Sequence, residues 1–266
     1  QVRMEKHYRT RVQGETLQTK IRDLEFNFYE IVIVPIYFGI LAIFSWLIGF
    51  GIMSLNLVSA VILTLITIIT VFRARKKYIQ NCETLKKYRK GLEGERFVGE
   101  MLNKISSDSV RVFHDIPGEH FNVDHIIVST RGIFAIETKH FDRTIGHEFF
   151  FNGNMIERVM KNGKRFLCPK LLPQMEGEAR FIHDEIKRRT DLDIPVIKVA
   201  ILIGCFIHTP AENDADKCIK RYFGKYWITN EKLFEKMFME EKEIYDESVV
   251  KHIAVNINEM VRIEID

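Results

Sequence analysis

Asp124, Glu137 and Lys139 stand in two short runs, residues 122–129 and 133–140, that are otherwise made largely of Ile, Val, Phe and Ala. Strand side chains repeat every two residues, so alternation places Asp124 with Ile126 and Val128, and Glu137 and Lys139 with Ile133 and Ala135. The intervening "STRG" is a short hairpin turn in which Gly132 is free to adopt positive φ. In that register Ser129 faces Gly132, Val128 faces Ile133, and Asp124 faces Glu137. Two opposed carboxylates, their Cβ atoms roughly 5 Å apart, repel one another. A divalent cation with oxygen ligands answers the repulsion: Asp124, Glu137 and the backbone carbonyl of Thr138 would hold it, and Lys139 would overlook the same spot. The competing reading is a surface hairpin with an ordinary Glu and Lys.

Such a cation suits phosphodiester hydrolysis, which needs an activated water and charge relief on the phosphate and leaving oxygen. The order Asp, short turn, Glu-Thr-Lys resembles the PD-(D/E)XK nuclease core. The blocks "GLEGERFVGEML", "VFHDIPG", "NVDHIIV", "GIFAIETKH" and "CPKLLPQ", in this order, resemble the NERD (nuclease-related) domain over residues 91–189. The resemblance implies a restriction-endonuclease-like α/β sandwich and hydrolysis dependent on Mg²⁺ or Mn²⁺. It puts Lys139 near the attacking water and scissile phosphate, Glu95 in the role of an assisting acid, and Gln174 in that of a polar aid to the site. Two departures stand out: Cys168-Pro169 where the family usually has Asn-Pro, and no proline before the first acid. The plain alternatives are a solvated helix-face acid for Glu95 and an ordinary first-turn residue for Gln174. His125 points away from Asp124 by alternation and reads as a structural hydrogen-bonding residue; His114 and His140 read as ordinary polar residues, with neighbours of a metal as the alternative.

The elements that must carry these residues are legible from periodicity. Residues 78–105 read as helix broken near Gly91 and Gly94, residues 110–116 as a strand, and residues 144–166 as further short strands with turns at Asn152-Gly153 and Asn162-Gly163. Residues 171–190 form a helix with Ala179, Ile182 and Ile186 inward. "IPVIKVAILIG" is apolar enough for a strand buried on both faces, "YWIT" is a short strand, and residues 231–243 and 247–261 are helical. The order fits an α/β sandwich with a mixed central sheet.

Residues 31–72 contain no Asp, Glu, Lys or Arg. A single span needs about 20 apolar residues, so the run predicts a two-helix transmembrane hairpin, near residues 31–49 and 57–72. Basic residues flank it on both sides and none lies in its turn, which places both termini and the domain on the cytoplasmic side of the cell membrane. The division is then a cytoplasmic N-terminal segment (1–30), the hairpin (31–72), a basic helical stalk (73–90) whose charges suit anionic lipid, and the NERD-like domain (91–266). Cys82, Cys168, Cys205 and Cys218 form no CxxC pair and read as packing residues.

The net charge of +3 conceals an asymmetry, because residues 91–266 hold 25 basic and 30 acidic side chains. No global basic field marks a nucleic-acid surface; local clusters at Arg158, Lys161, Lys164, Arg165 and Lys170, and at residues 187–189, are the available ones. The expectation is a membrane-tethered, metal-dependent nuclease, with DNA ahead of RNA as substrate and the lipid bilayer as second partner. The alternative is a catalytically silent NERD-like module that binds nucleic acid or protein as a membrane scaffold.

Overall fold

The computed structural model describes residues 7–51, 57–152, 154–208 and 226–265. Cys218 and most of the expected inter-span turn lie outside these residues. The chain falls into two compact units, one running up to Thr16 and resuming at Gly91, the other comprising Leu17–Lys90.

The second unit is a helical hairpin, built on α1 (Glu15–Gly51) and α2 (Leu57–Lys104). Its two arms run antiparallel: Trp46 Nε1 donates to Thr64 Oγ1 at 3.0 Å, the rings of Phe28 and Tyr78 meet edge to face at 5.2 Å, and Arg89 pairs with Glu25 at 2.8 Å. Both helices are long and apolar enough to cross a membrane. Only 11% and 6% of their most apolar stretches are buried, which is not how the core helix of a folded domain is covered. The expected break near Gly91 and Gly94 does not occur, since α2 runs on to Lys104. Gly94 instead permits a close approach: a Cβ there would lie 2.9 Å from His140 Cβ and 3.1 Å from Ile203 Cδ1.

The first unit is mixed α/β. Its central sheet has five strands in the order β10 (Tyr226–Thr229), β8 (Val196–Leu202), β4 (Gly132–Lys139), β3 (Asn122–Ser129), β2 (Val110–Pro117). The β10/β8 and β8/β4 pairs are parallel, and β4/β3 and β3/β2 antiparallel, so the sheet is mixed. On one face α3 (Leu171–Thr190) and α5 (Glu247–Met260) bury Ile126, Val128, Ile133 and Ala135. On the other, Val98 and Leu102 of α2 and Phe234 and Phe238 of α4 (Glu231–Met239) bury Ile127, Phe134 and Ile136. Strand β4 is therefore covered on both faces and reads apolar until its last residues, where Glu137 and Lys139 appear.

A four-stranded sheet of β5 (Glu148–Phe151), β6 (Ile156–Val159), β7 (Arg165–Leu167) and β9 (Phe206–His208) has the order β7-β6-β5-β9 and packs Phe149, Phe151 and Ile156 against Leu171, Leu172 and Met175 of α3. A two-stranded sheet joins the N-terminal strand β1 (His7–Thr10) to β11 (Arg262–Ile265), antiparallel, with Arg11 N donating to Val261 O at 2.9 Å.

Candidate active site at the end of the central strand

The hairpin register is the one alternation dictates: Ser129 pairs with Gly132, Val128 with Ile133 and His125 with Ile136, and Gly132 takes φ 139°. The ladder ends one pair short of Asp124 and Glu137. There the Asp124 side chain takes over, Oδ2 accepting from Thr138 N at 2.8 Å. The backbone amide of the central strand thereby orients the first carboxylate towards the second.

Glu137 is 2% exposed. Its Oε1 accepts a close hydrogen bond from Lys139 Nζ, while Oε2 is buried with no hydrogen-bond partner among the described residues. Lys139 Nζ also donates to Gln174 Oε1 at 3.3 Å, and Gln174 Nε2 donates to Glu178 Oε1 at 2.8 Å. Gln174 and Glu178 lie one helical turn apart at the start of α3, the helix that covers this face of β4. Glu95 reaches the same place from α2, close enough for its charge to raise the pKa of Asp124. The structure thus brings together Asp124, Glu137, Thr138, Lys139, Glu95 and Gln174.

The electrostatics are those of crowded carboxylates around one ammonium. Burial raises the Asp124 pKa well above its ordinary value, and Glu137, Glu95 and Glu178 add to it, against the Thr138 amide. Asp124 nevertheless keeps partial solvent exposure, so it lies at the mouth of the site and Glu137 at its floor. Burial, then the neighbouring Glu137, pushes Glu178 up to about 9, with Gln174 and Lys139 opposing. Burial works to lower Lys139, but the Glu137 carboxylate, with Asp124 and Glu178 behind it, prevails and raises it. Such a group of acids is stable only with a proton or a cation among them.

Glu178 is the residue the sequence reading missed. It is 2% exposed and sits within the apolar stripe Met175, Ala179, Ile182 of α3. An acid inside an apolar stripe, four residues after Gln174, is the same kind of signal that singled out Glu137. As the sequence reading had it, His125 lies on the other side of the sheet and bonds within it: its Nδ1 is 2.9 Å from His114 Nδ1, and His114 Nε2 is 3.0 Å from Asn103 Oδ1. Burial lowers His114 to about 4 and His125 well below its usual value, so the pair is neutral. If His114 Nε2–H serves Asn103, then His125 Nδ1–H donates to His114, and His125 Nε2 is left bare, as found.

The oxygen donors fit a hard divalent cation in kind and in charge, and the unpartnered Glu137 Oε2 is the atom that would receive it. As the side chains stand, no group of three or more His, Cys, Asp or Glu among the described residues is gathered closely enough to hold a metal ion. The close Lys139–Glu137 pair occupies the other carboxylate oxygen, Oε1.

Residues 90–203 match the family model described as nuclease-related domain, NERD. A protein of Bacillus anthracis named only as uncharacterized is 34% identical over 58 residues, covering 20% of this chain and 27% of that protein. The chain thus spans about a quarter of that relative's length. No solved structure matches.

Proposed function

We propose that a chain whose residues 90–203 are a nuclease-related domain hydrolyses phosphodiester bonds of nucleic acid, with DNA the favoured polymer, and does so with Mg²⁺ or Mn²⁺. The observation that carries the reading is the buried Glu137 carboxylate, one oxygen held by Lys139 and the other without an N–H donor among the described residues, facing further acids. A buried carboxylate excess is costly, and a fold has no stability reason to assemble one. Asp124, Glu137 and the Thr138 carbonyl would hold the cation, whose chemistry is to lower the pKa of water and neutralise developing charge on phosphate. Lys139, fixed between Glu137 and Gln174, would hold its ammonium against a phosphate oxygen and the attacking water. Glu95 would take or relay a proton at the mouth of the site.

In this reading the central sheet and its two helical covers are a restriction-endonuclease-like sandwich. The apolar hairpin spans the cell membrane twice, with both termini and the domain in the cytoplasm. The absence of charge in residues 31–72 and the basic residues on both flanks support it. A reporter placed between the two apolar helices that reads out on the cytoplasmic side would reject this topology.

A specific observation favours a second reading. The Lys139–Glu137 pair already neutralises one ligand oxygen, which suits a silent module that binds nucleic acid or protein without cutting. The full chain, purified in detergent, distinguishes the two on plasmid, linear and single-stranded substrates with and without Mg²⁺ or Mn²⁺. Cation-dependent cleavage is expected; salt-sensitive binding of the same polymers with no cleavage under any condition would establish the silent module.

A further inference from the structure

Residues 7–16, a segment that ends in the first turn of α1, belong to the same compact unit as the chain from residue 91 onward, and they lead to the candidate site. Their anchor is Asp115, 2% exposed and with φ 51°, in the left-handed region that is uncommon for non-glycine residues but better tolerated by Asp than by most. Its Oδ2 accepts from Arg11 Nη1 at 2.8 Å, Thr16 N at 3.0 Å and Thr16 Oγ1 at 2.9 Å, while Oδ1 accepts from Asn122 Nδ2 at 2.8 Å. Four donors, one of them a guanidinium, compensate a buried carboxylate well. Asn122 opens β3 two residues before Asp124, and the β2/β3 ladder pairs His114 with His125 and Ile116 with Val123, so Asp115 lies across from Asp124 in register.

Between Arg11 and Thr16 the strap crosses the domain end of α2. A Cβ on Gly14, at φ 68°, would lie 2.3 Å from Leu92 Cδ1 and 3.3 Å from Glu95 Oε2; a Cβ on Gly99 would lie 2.3 Å from Gln13 Cγ. Gly14 is thus favoured by its backbone conformation, and a Cβ there would also push aside the ends of the Leu92 and Glu95 side chains. One end of the strap is tied by β1 to β11, and the other continues directly into α1.

We propose that residues 7–16 are a positioning element of the site: through the Asp115 anchor and the passage over Leu92, Glu95 and Gly99, the strap sets where Glu95 stands relative to Asp124. Arg11, Gly14 and Thr16 are then positioning residues for the reaction, and Arg11 also neutralises an acid one strand away from Asp124. The catalytic half of this inference rests on the nuclease reading above. Displacement of a group by about 1 Å can cost 10² in rate, so loosening the strap should be felt in kcat.

Amide hydrogen exchange of the full chain in detergent tests the positioning itself. In Arg11→Ala and in Thr16→Val, protection at residues 92–99 should fall, while protection in β4 and β8 stays as in the parent; unchanged exchange at 92–99 would overturn the proposal whatever the activity. The catalytic half is read from a double-mutant cycle on kcat with Glu95→Asp. Gly14→Ala should lower kcat about tenfold in the parent and by less than about twofold in the Glu95→Asp background, with KM little changed. Equal losses in both backgrounds would mean that the strap acts only through general stability. An indifferent Glu95→Asp would likewise remove Glu95 as the group acted on. Absence of cleavage by the parent chain would defeat the nuclease reading and not the strap, whose placement of Glu95 the exchange data decide.

Discussion

Asp115 and Glu137 are both 2% exposed, and both are carboxylates in a sheet, yet their surroundings are opposite. Asp115 collects four hydrogen bonds, including one from Arg11, on its two oxygens. Glu137 has Lys139 on one oxygen, no N–H donor on the other among the described residues, and acids for neighbours, of which Glu178 comes within hydrogen-bond reach when protonated. A buried charge that is fully met by donors is an anchor, and removing a partner is what hurts. A buried charge left short of donors among like charges lowers stability as it stands and is useful only to something that arrives. The two residues therefore separate scaffold from site within one domain.

The largest expected effect lies at the under-satisfied end. Lys139→Ala should reduce cleavage about 10²- to 10³-fold, roughly 3 to 4 kcal/mol, because a preorganised charge at the reacting phosphate is lost. The cation-dependent rise in melting temperature should survive the substitution, since Lys139 is not a ligand. Steady-state cleavage beside thermal melts in Mg²⁺ gives both numbers; unimpaired cleavage would reject the role of Lys139.

Next in size is the anchor. Asp115→Ala leaves Arg11, Thr16 and Asn122 without their common acceptor and should destabilise the domain by about 1.5 to 3 kcal/mol, the range for hydrogen bonds to a charged group. Chemical denaturation, read by a probe in the α/β unit, measures it. A loss under about 0.5 kcal/mol would erase the contrast with Glu137, being the value of an ordinary surface change.

Glu137→Gln should move stability the other way. Without cation it removes repulsion with Asp124 and Glu178 and should leave the domain as stable or more stable, by on the order of 1 kcal/mol, at the expense of activity. The melting shift on adding Mg²⁺ or Mn²⁺, which mass action requires of any ligand confined to the native state, should vanish with it. A Glu137→Gln chain that melts well below the parent, or one that keeps the whole cation shift, would put Glu137 in the same class as Asp115.

A further contrast is the slope with pH. Glu178 is held up to about 9 from an ordinary 4.5 by burial and Glu137. The folded state then keeps a proton that the unfolded chain releases, so as pH rises from about 4.5 towards 9 this group makes the cation-free fold progressively less stable. Glu178→Gln should flatten that slope. In the parent, added Mg²⁺ competes with the proton, and its stabilisation should grow with pH over the same window. Parallel stability profiles for parent and Glu178→Gln would show that Glu178 ionises as an ordinary acid.

Much of this architecture is legible in the sequence. The pairing of β3 with β4, the burial of "IPVIKVAILIG" and the span of α3 follow from local periodicity and turn chemistry, as does the appearance of two acids on an apolar face. These are properties of neighbours along the chain, and a period of two or of 3.6 suffices to state them. Gly94 reads locally as a helix breaker, yet α2 passes through it, and its approach to His140 and Ile203 explains why a glycine stands there.

What the tertiary structure alone decided is which distant groups meet. Glu178 joined Glu137 because α3 lies on that face of β4, and Lys139 turned towards both Glu137 and Gln174. Arg11 and Thr16 found Asp115 across 104 and 99 residues, a separation over which no periodicity in the sequence carries information. The chain specified by itself where charges would be buried, since burial follows from pattern. It could not specify which of those charges would be answered, since that depends on side chains brought together only when the sheet, its helices and the N-terminal strap have closed on one another.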